Sequence, residues 1–121
     1  MLEVRRIRLN EDEEETSLWT PKRAAKAIAS ADGPFLRTLK RCLRDGFKLY
    51  VGIHVRAYGD GIYRVGCRGS RMRLIGFFHQ EYGCFIAPHA GPKQRGRQLE
   101  ATIREVRRVR DEEAWRMIDG D

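Results

Sequence analysis

Two kinds of side chain in this sequence have the chemistry to act on a phosphate ester. Cationic groups recur through its second half as Arg56, Arg64, Arg68, Arg71 and Arg73, and again after a turn-rich stretch as Lys93, Arg95 and Arg97. Guanidinium groups engage phosphate oxygens in bidentate fashion. Near them in sequence stand His54 and His79, and imidazole both accepts and releases a proton close to neutrality. In RNA cleavage a base would take the proton of a 2′-hydroxyl and an acid would protonate the leaving 5′-oxygen, while arginines would stabilise charge growing on the phosphoryl oxygens. That scheme calls for no metal and no cofactor. Tyr50, Tyr58, Tyr63 and Phe77 are available to stack bases, although packing at the edge of a sheet is an equal use for them.

These groups can cooperate only if strands bring them to one face. From Lys48 to Tyr58 apolar residues alternate strictly with others, so that Leu49, Val51, Ile53, Val55 and Ala57 share one side and Tyr50, Gly52, His54, Arg56 and Tyr58 the other, the pattern of a half-buried strand. Directly opposed residues must point the same way. A three-residue loop at Gly59-Asp60-Gly61, with Gly61 left-handed, meets that condition by pairing Val55 with Val65 and Arg56 with Arg64. A two-residue hairpin at Gly69-Ser70 would then set Cys67 opposite Met72 and Val65 opposite Leu74. Arg68, Arg71 and Arg73 would join Arg56 and Arg64 on the second face, with His54, and with His79 further along. Like charges facing each other across strands are destabilising. A bound polyanion would offset the repulsion; splaying into solvent, or pairing with the acidic segments at 11–15 and 111–113, would also do so.

The remaining elements supply the core. Residues 2–9 show an imperfect period of two and read as a first strand. Thr20-Pro21 is a helix start, with the threonine as cap and the proline where no N–H is needed. Asp32-Gly33-Pro34 restarts the chain, and Leu36, Leu39 and Leu43 recur at helical spacing up to a stop at Gly46. The two helices should form a hairpin packed on the sheet. A loop or short strand at 82–87 and a turn-rich stretch around Pro88, Gly91, Pro92 and Gly96 lead to a last helix, 98–117, with Leu99, Ile103, Val106 and Trp115 as its stripe. The expected fold is α+β: an antiparallel meander with an N-terminal helical hairpin and a C-terminal helix, in one domain over 1–121.

Composition favours an anionic partner. The chain has 24 Lys plus Arg against 17 Asp plus Glu, a net charge of +7, with arginine dominant over lysine. Residues 48–110 alone hold thirteen basic and four acidic side chains, whereas 111–121 hold one and five. Such a balance speaks of partners, not of fold. The acidic run Glu11 to Glu15 reads as a solvated segment, or as a mask for the basic face. Cys42, Cys67 and Cys84 are odd in number and far apart, without a signal peptide, so reduced thiols in a cytoplasmic setting are expected. No apolar run is long enough to span a bilayer. His79, Cys84 and His89 match no standard zinc spacing and lack a fourth ligand. Neither a phosphate-binding glycine loop nor a G-x-S-x-G elbow occurs.

The order of elements, together with Gly61-Ile62-Tyr63-Arg64-Val65 and Leu74-Ile75-Gly76-Phe77-Phe78-His79-Gln80, resembles the RelE/HigB-like toxins of toxin–antitoxin systems, particularly their phage-derived, HigB-like branch, over residues 46–104. The resemblance implies a ribosome-dependent mRNA endonuclease of microbial-ribonuclease-like fold, without a metal, neutralised by a cognate antitoxin. Arg64 matches the family's strand-three arginine, and Arg56 stands where a basic strand-two residue is often found. His79 and Gln80 replace the usual paired lysines, the segment from Glu81 to Arg95 is longer than the pattern, and no C-terminal tyrosine follows it. The expected catalytic set is Arg64, Arg56, His79 and His54, and the expected RNA-binding set is Arg68, Arg71, Arg73, Tyr63, Lys93, Arg95 and Arg97. Two other readings of the same residues are a non-catalytic RNA- or DNA-binding module and a phage-type protein that binds an acidic protein partner.

Overall fold

The computed structural model describes residues 1–7, 18–79, 81 and 83–118. Among them the chain forms an α+β structure of β1 (Leu2–Arg6), β2 (Leu18–Thr20), α1 (Lys22–Ala29), α2 (Gly33–Asp45), a 3-10 helix (Phe47–Tyr50), β3 (Val55–Gly59), β4 (Ile62–Val65), β5 (Met72–His79), β6 (Cys84–Pro92), α3 (Gly96–Asp111) and β7 (Trp115–Ile118). The acidic run Glu11 to Glu15, Gln80 and Tyr82 lie outside the described residues.

Local chemistry sets most of the boundaries. Asp32 caps α2, its side chain accepting the Phe35 amide at 2.9 Å, and Pro34 occupies the first turn, where its missing N–H costs nothing. Gly46, with φ of 99°, ends the helix in a conformation that a side chain would resist. The start of α1 differs from expectation. Thr20 belongs to β2, its hydroxyl is buried without a partner, and Pro21 precedes the helix with no side-chain cap.

The strands form one mixed sheet in the order β3-β4-β5-β6-β2-β1-β7. Four strands from β3 to β6 run antiparallel to their neighbours, while β2 lies parallel to β6 and β7 parallel to β1. The first hairpin has the expected register, Val55 opposite Val65 and Arg56 opposite Arg64, but its loop is the two residues Asp60 and Gly61, at φ of 52° and 74°, and not three, because a bulge between Ala57 and Gly59 lets Gly59 pair with Ile62. In the second, Val65 faces Leu74 as expected. Cys67 and Met72 do not pair, because β4 and β5 already part beyond Val65 and Leu74. Ser70 folds inward instead, donating to Asp32 at 2.7 Å and accepting the Met72 amide at 3.1 Å, which ties this turn to the start of α2.

Three segments depart from the sequence reading. Residues 48–54 are not strand: the chain makes a 3-10 turn, and Leu49, Val51 and Ile53, assigned to the core by alternation, are exposed. Alternation records what a strand would do with those residues, and here no sheet neighbour is available to receive them. Residues 84–92 form a full strand, and their apolar run Cys84 to Ala87 is buried. The last helix stops at Asp111, after which Glu113 turns at φ of 48° and Trp115 enters β7 beside β1.

The sheet is covered on both faces. One core gathers Ile28 of α1 and Phe35, Leu39, Cys42 and Leu43 of α2 with Val55, Val65, Leu74 and Phe85. The other packs Val106 and Val109 of α3 on Ile62, Ile75, Phe77 and Ile86. Asp60, in the β3–β4 turn, holds the far end of α3 through Arg107 at 2.9 Å and Arg110 at 3.1 Å. The second face is therefore only partly open, and α3 decides where.

At Gly76 the chain admits no side chain, since a Cβ there would lie 2.0 Å from the Ile86 carbonyl oxygen, a backbone atom with nowhere to move. Gly76→Ala should therefore cost on the order of 1–3 kcal/mol or more by overpacking. The check is the urea midpoint against wild type; an unchanged midpoint would contradict the close approach of β5 and β6.

Candidate nucleic-acid cleft

The cleft grows from a bulge. Along β5 and β6 the register runs with Ile75 opposite His89, then slips so that Phe77 faces Ile86. The extra residue resets the alternation and turns His89 to the α3 side of the sheet, beside Ile75. On that side strand periodicity also puts Arg56, Arg64 and Arg73. The chain then leaves β6 through Lys93, Gln94 and Arg95 into the first turn of α3, which stands over these residues. Together with Tyr58, Pro92, Gly96 and Leu99 they enclose a cleft of about 300 Å³.

Its charge is one-sided. Among the described residues no carboxylate forms an ion pair with Arg56, Arg64, Arg73, Lys93 or Arg95. Burial lowers the pKa of Arg64; Tyr58 opposes the shift, and the charges of Arg73 and Arg56 add to it. Arg73 is fixed in place: its Nη1 donates to the carbonyls of Ser70 at 2.6 Å and Met72 at 2.8 Å. Its stem lies across Gly66, where a Cβ would come within 2.5 Å of the Arg73 Cδ. The Nε atoms of Arg64 and Arg73, the Nε2 of His89 and the Oε1 of Gln94 are buried without a hydrogen-bond partner. A buried polar atom left unsatisfied costs roughly 1–3 kcal/mol, and four occur among residues that line one cleft. The start of α3 adds backbone amides, because Arg95 gives no side-chain cap and an uncapped helix N-terminus favours an anion.

His89 is the imidazole of the cleft. Burial, and secondarily the charge of Arg23, hold its pKa below the ordinary 6.5. The ring is thus neutral near pH 7 and able to accept a proton.

The structure brings together Arg56, Arg64, Arg73, Lys93 and Arg95 from the sequence-derived set. Arg71 sits at the same end of the sheet, its carbonyl accepting the Lys93 amide at 2.6 Å, with its side chain exposed. Arg68 is exposed in the turn before β5 and Arg97 on the first turn of α3, outside the cleft lining. The placement of three others is corrected. His54 lies in the turn before β3 and packs against Tyr50 with ring centroids 5.5 Å apart, so it is not on the arginine face. Tyr63 alternates to the opposite side and meets Phe78 edge-on. His79 has the expected side, but Ile75 and Phe77 under α3 separate it from Arg73 by six residues of strand, about 20 Å, and its ring meets Trp115. Sequence reasoning missed His89 because Pro88 and Pro92 disguised β6 as a turn; the buried run Cys84 to Ala87 was the usable signal. His89 and Cys84 lie at different ends of β6, so His79, Cys84 and His89 do not converge. The thiols of Cys42 and Cys84 are pushed up by burial to about 12 and about 11, which makes them inert core groups.

No protein-family model and no curated protein matches the sequence. Solved structures do. A mutant E. coli RelE toxin in complex with a peptide of the antitoxin RelBc matches with 16% identity and a TM-score of 0.51, over 71% of this chain and 90% of that one. The chain has a RelE-like fold. The isolated E. coli RelE toxin matches with 16% identity and a TM-score of 0.49, over 76% of this chain and 99% of the toxin. Among the described residues no helix is long and apolar enough to cross a membrane.

A lowered histidine pKa gives the RelE-like fold a defined response to acid. The folded state takes up a proton at His89 less readily than the unfolded chain, so this contribution is complete above about pH 6.5 and is lost as pH falls through the folded value, by up to about 1.4 kcal/mol per unit. Between about pH 7.5 and about pH 5, the urea midpoint of the wild type should fall further than that of His89→Gln. Parallel decline of the two proteins would remove His89 from the cleft.

Proposed function

We propose that this protein is an endoribonuclease toxin that cleaves mRNA on the ribosome and is held in check by a cognate antitoxin protein. The observation that carries the reading is the cleft itself: three arginines without carboxylate partners among the described residues, a neutral, half-buried histidine whose Nε2 is unsatisfied, and the open start of a helix, all facing one space of a size to take a phosphodiester. The RelE-like fold and the RelE toxin's complex with an antitoxin peptide support the toxin and antitoxin parts of the reading.

Each step has a residue to perform it. Arg64 and Arg73 hold the phosphoryl oxygens, with Arg56 at the open rim. His89 takes the proton of the 2′-hydroxyl through Nε2, and the oxygen so activated attacks the adjacent phosphorus. The bond to the 5′-oxygen breaks, leaving a cyclic phosphate on one fragment and a hydroxyl on the other. Tyr58, whose hydroxyl lies against Arg64, returns a proton to the departing oxygen. Water plays no part in that first step. Preorganised donors aimed at developing charge are worth roughly 10²–10³ in rate apiece, so the arginines carry the larger share and proton transfer the smaller.

Primer extension on mRNA in a reconstituted translation reaction tests the proposal. The wild type should give discrete cuts only when ribosomes translate the message. Arg64→Ala should lose them by roughly 10²-fold or more, and His89→Ala should reduce them by about 10²-fold with binding retained. Absence of cuts from folded wild type, or cuts indifferent to Arg64→Ala, would rule the reading out.

A further inference from the structure

The cleft accounts for fewer than half of the cations on this chain, and the helical layer on the other side of the sheet is as basic. From Lys22 to Tyr50 the sequence has eight Lys and Arg and two Asp. All eight cations are exposed. Both carboxylates are engaged locally: Asp32 caps α2 and receives Ser70, and Asp45 accepts Arg44 and the Tyr50 hydroxyl. Among the described residues, no ion pair with a carboxylate is made by the other seven.

Their spacing is not random. On α2, Arg37, Lys40, Arg41 and Arg44 fall at i, i+3, i+4 and i+7, directly opposite the buried Phe35, Leu39 and Cys42. They make a stripe about 10 Å long. On α1, Lys22 and Lys26 fall at i and i+4 with Arg23 beside them, opposite the buried Ala24 and Ile28. Like charges at these spacings destabilise a helix, and among the described residues the one ion pair along the two stripes is that of Arg44 with Asp45. Neither helix turns a large apolar side chain to solvent; the exposed ones, Met1, Leu49, Val51 and Ile53, lie outside both. A surface of closely spaced cations without apolar anchors matches a line of phosphates better than it matches an acyl-chain surface or a protein with a dry interface.

We infer that the outer face of α1 and α2 is a second nucleic-acid surface, which takes the phosphate backbone of a duplex without reading its sequence. The sheet lies between the α2 stripe and the cleft, so one single strand in the cleft does not serve both; on α1, the charge of Arg23 does reach His89 of the cleft. The inference is independent of the nuclease reading, because it concerns binding alone.

Fluorescence polarisation of a labelled RNA duplex and a labelled DNA duplex, titrated with the full chain over a range of salt, is the test. Removing Arg37, Lys40 and Arg41 together as Ser should lower the slope of log affinity against log salt by about three, one for each phosphate no longer neutralised, and Lys22→Ser with Lys26→Ser by about two. Arg64→Ala should leave the duplex slope within about one of wild type while abolishing any cleavage. Either duplex behaving so supports the inference and names the nucleic acid. Slopes unmoved by the α1 and α2 variants, with unchanged melting to show that they fold, would overturn it. Binding of vesicles containing phosphatidylserine in place of both duplexes would overturn it too, and would assign the face to a membrane.

Discussion

Arg56 and Arg64 stand directly opposite each other across two strands, with Arg73 on the next strand and no carboxylate among the described residues to pair with any of them. A sheet gains nothing from such a pair by itself. The repulsion is tolerated because the surrounding structure is determined by other contacts. Val55, Val65 and Leu74, on the reverse side of the same strands, are fully or almost fully buried under α2, and each such side chain contributes roughly 1.5–3 kcal/mol. The charged face is thus held in register by the apolar face behind it, as a one-residue slip would exchange the two.

The placement of α3 converts a charged surface into a site. Its last turns are fixed by Val106, Val109 and the Asp60 ion pairs, so that its first turn overhangs the arginines and not the Ile62 to Phe77 part of the sheet. Burial then acts on the groups beneath. It keeps His89 neutral and leaves four polar atoms without partners, and the arginines lose water that an arriving phosphate would replace. The bulge between Ile75 and Phe77 is the local device on which this depends, since without it His89 would point to the other core.

Much of this was legible in the sequence, for reasons that can be stated residue by residue. The Val55/Val65 and Arg56/Arg64 register followed from matching faces around Gly59-Asp60-Gly61, although a bulge shortens the loop to Asp60 and Gly61. Asp32 and Gly46 bound α2 because cap chemistry is local. What could not be read depended on neighbours distant in the chain. Leu49, Val51 and Ile53 alternate like a strand, but only the sheet decides whether a partner is there. Trp115 continued a helical stripe, but β1 recruits it into β7. Two prolines hide the β6 strand in the sequence, and with it His89, the imidazole that lines the cleft, so sequence alone points for acid–base roles to His54 and His79, which the fold places elsewhere.

The central claim is that a phosphodiester binds against Arg64, Arg73 and His89. Nuclear magnetic resonance of the arginine Nε–Hε groups and the histidine rings, titrated with a 2′-O-methyl RNA oligonucleotide that cannot be cleaved, tests it most directly. The account predicts that the largest shifts fall on Arg64, Arg73 and His89, with His54 and His79 unmoved. Saturable binding that shifts His79 or His54 and leaves Arg64 and His89 unchanged would contradict it.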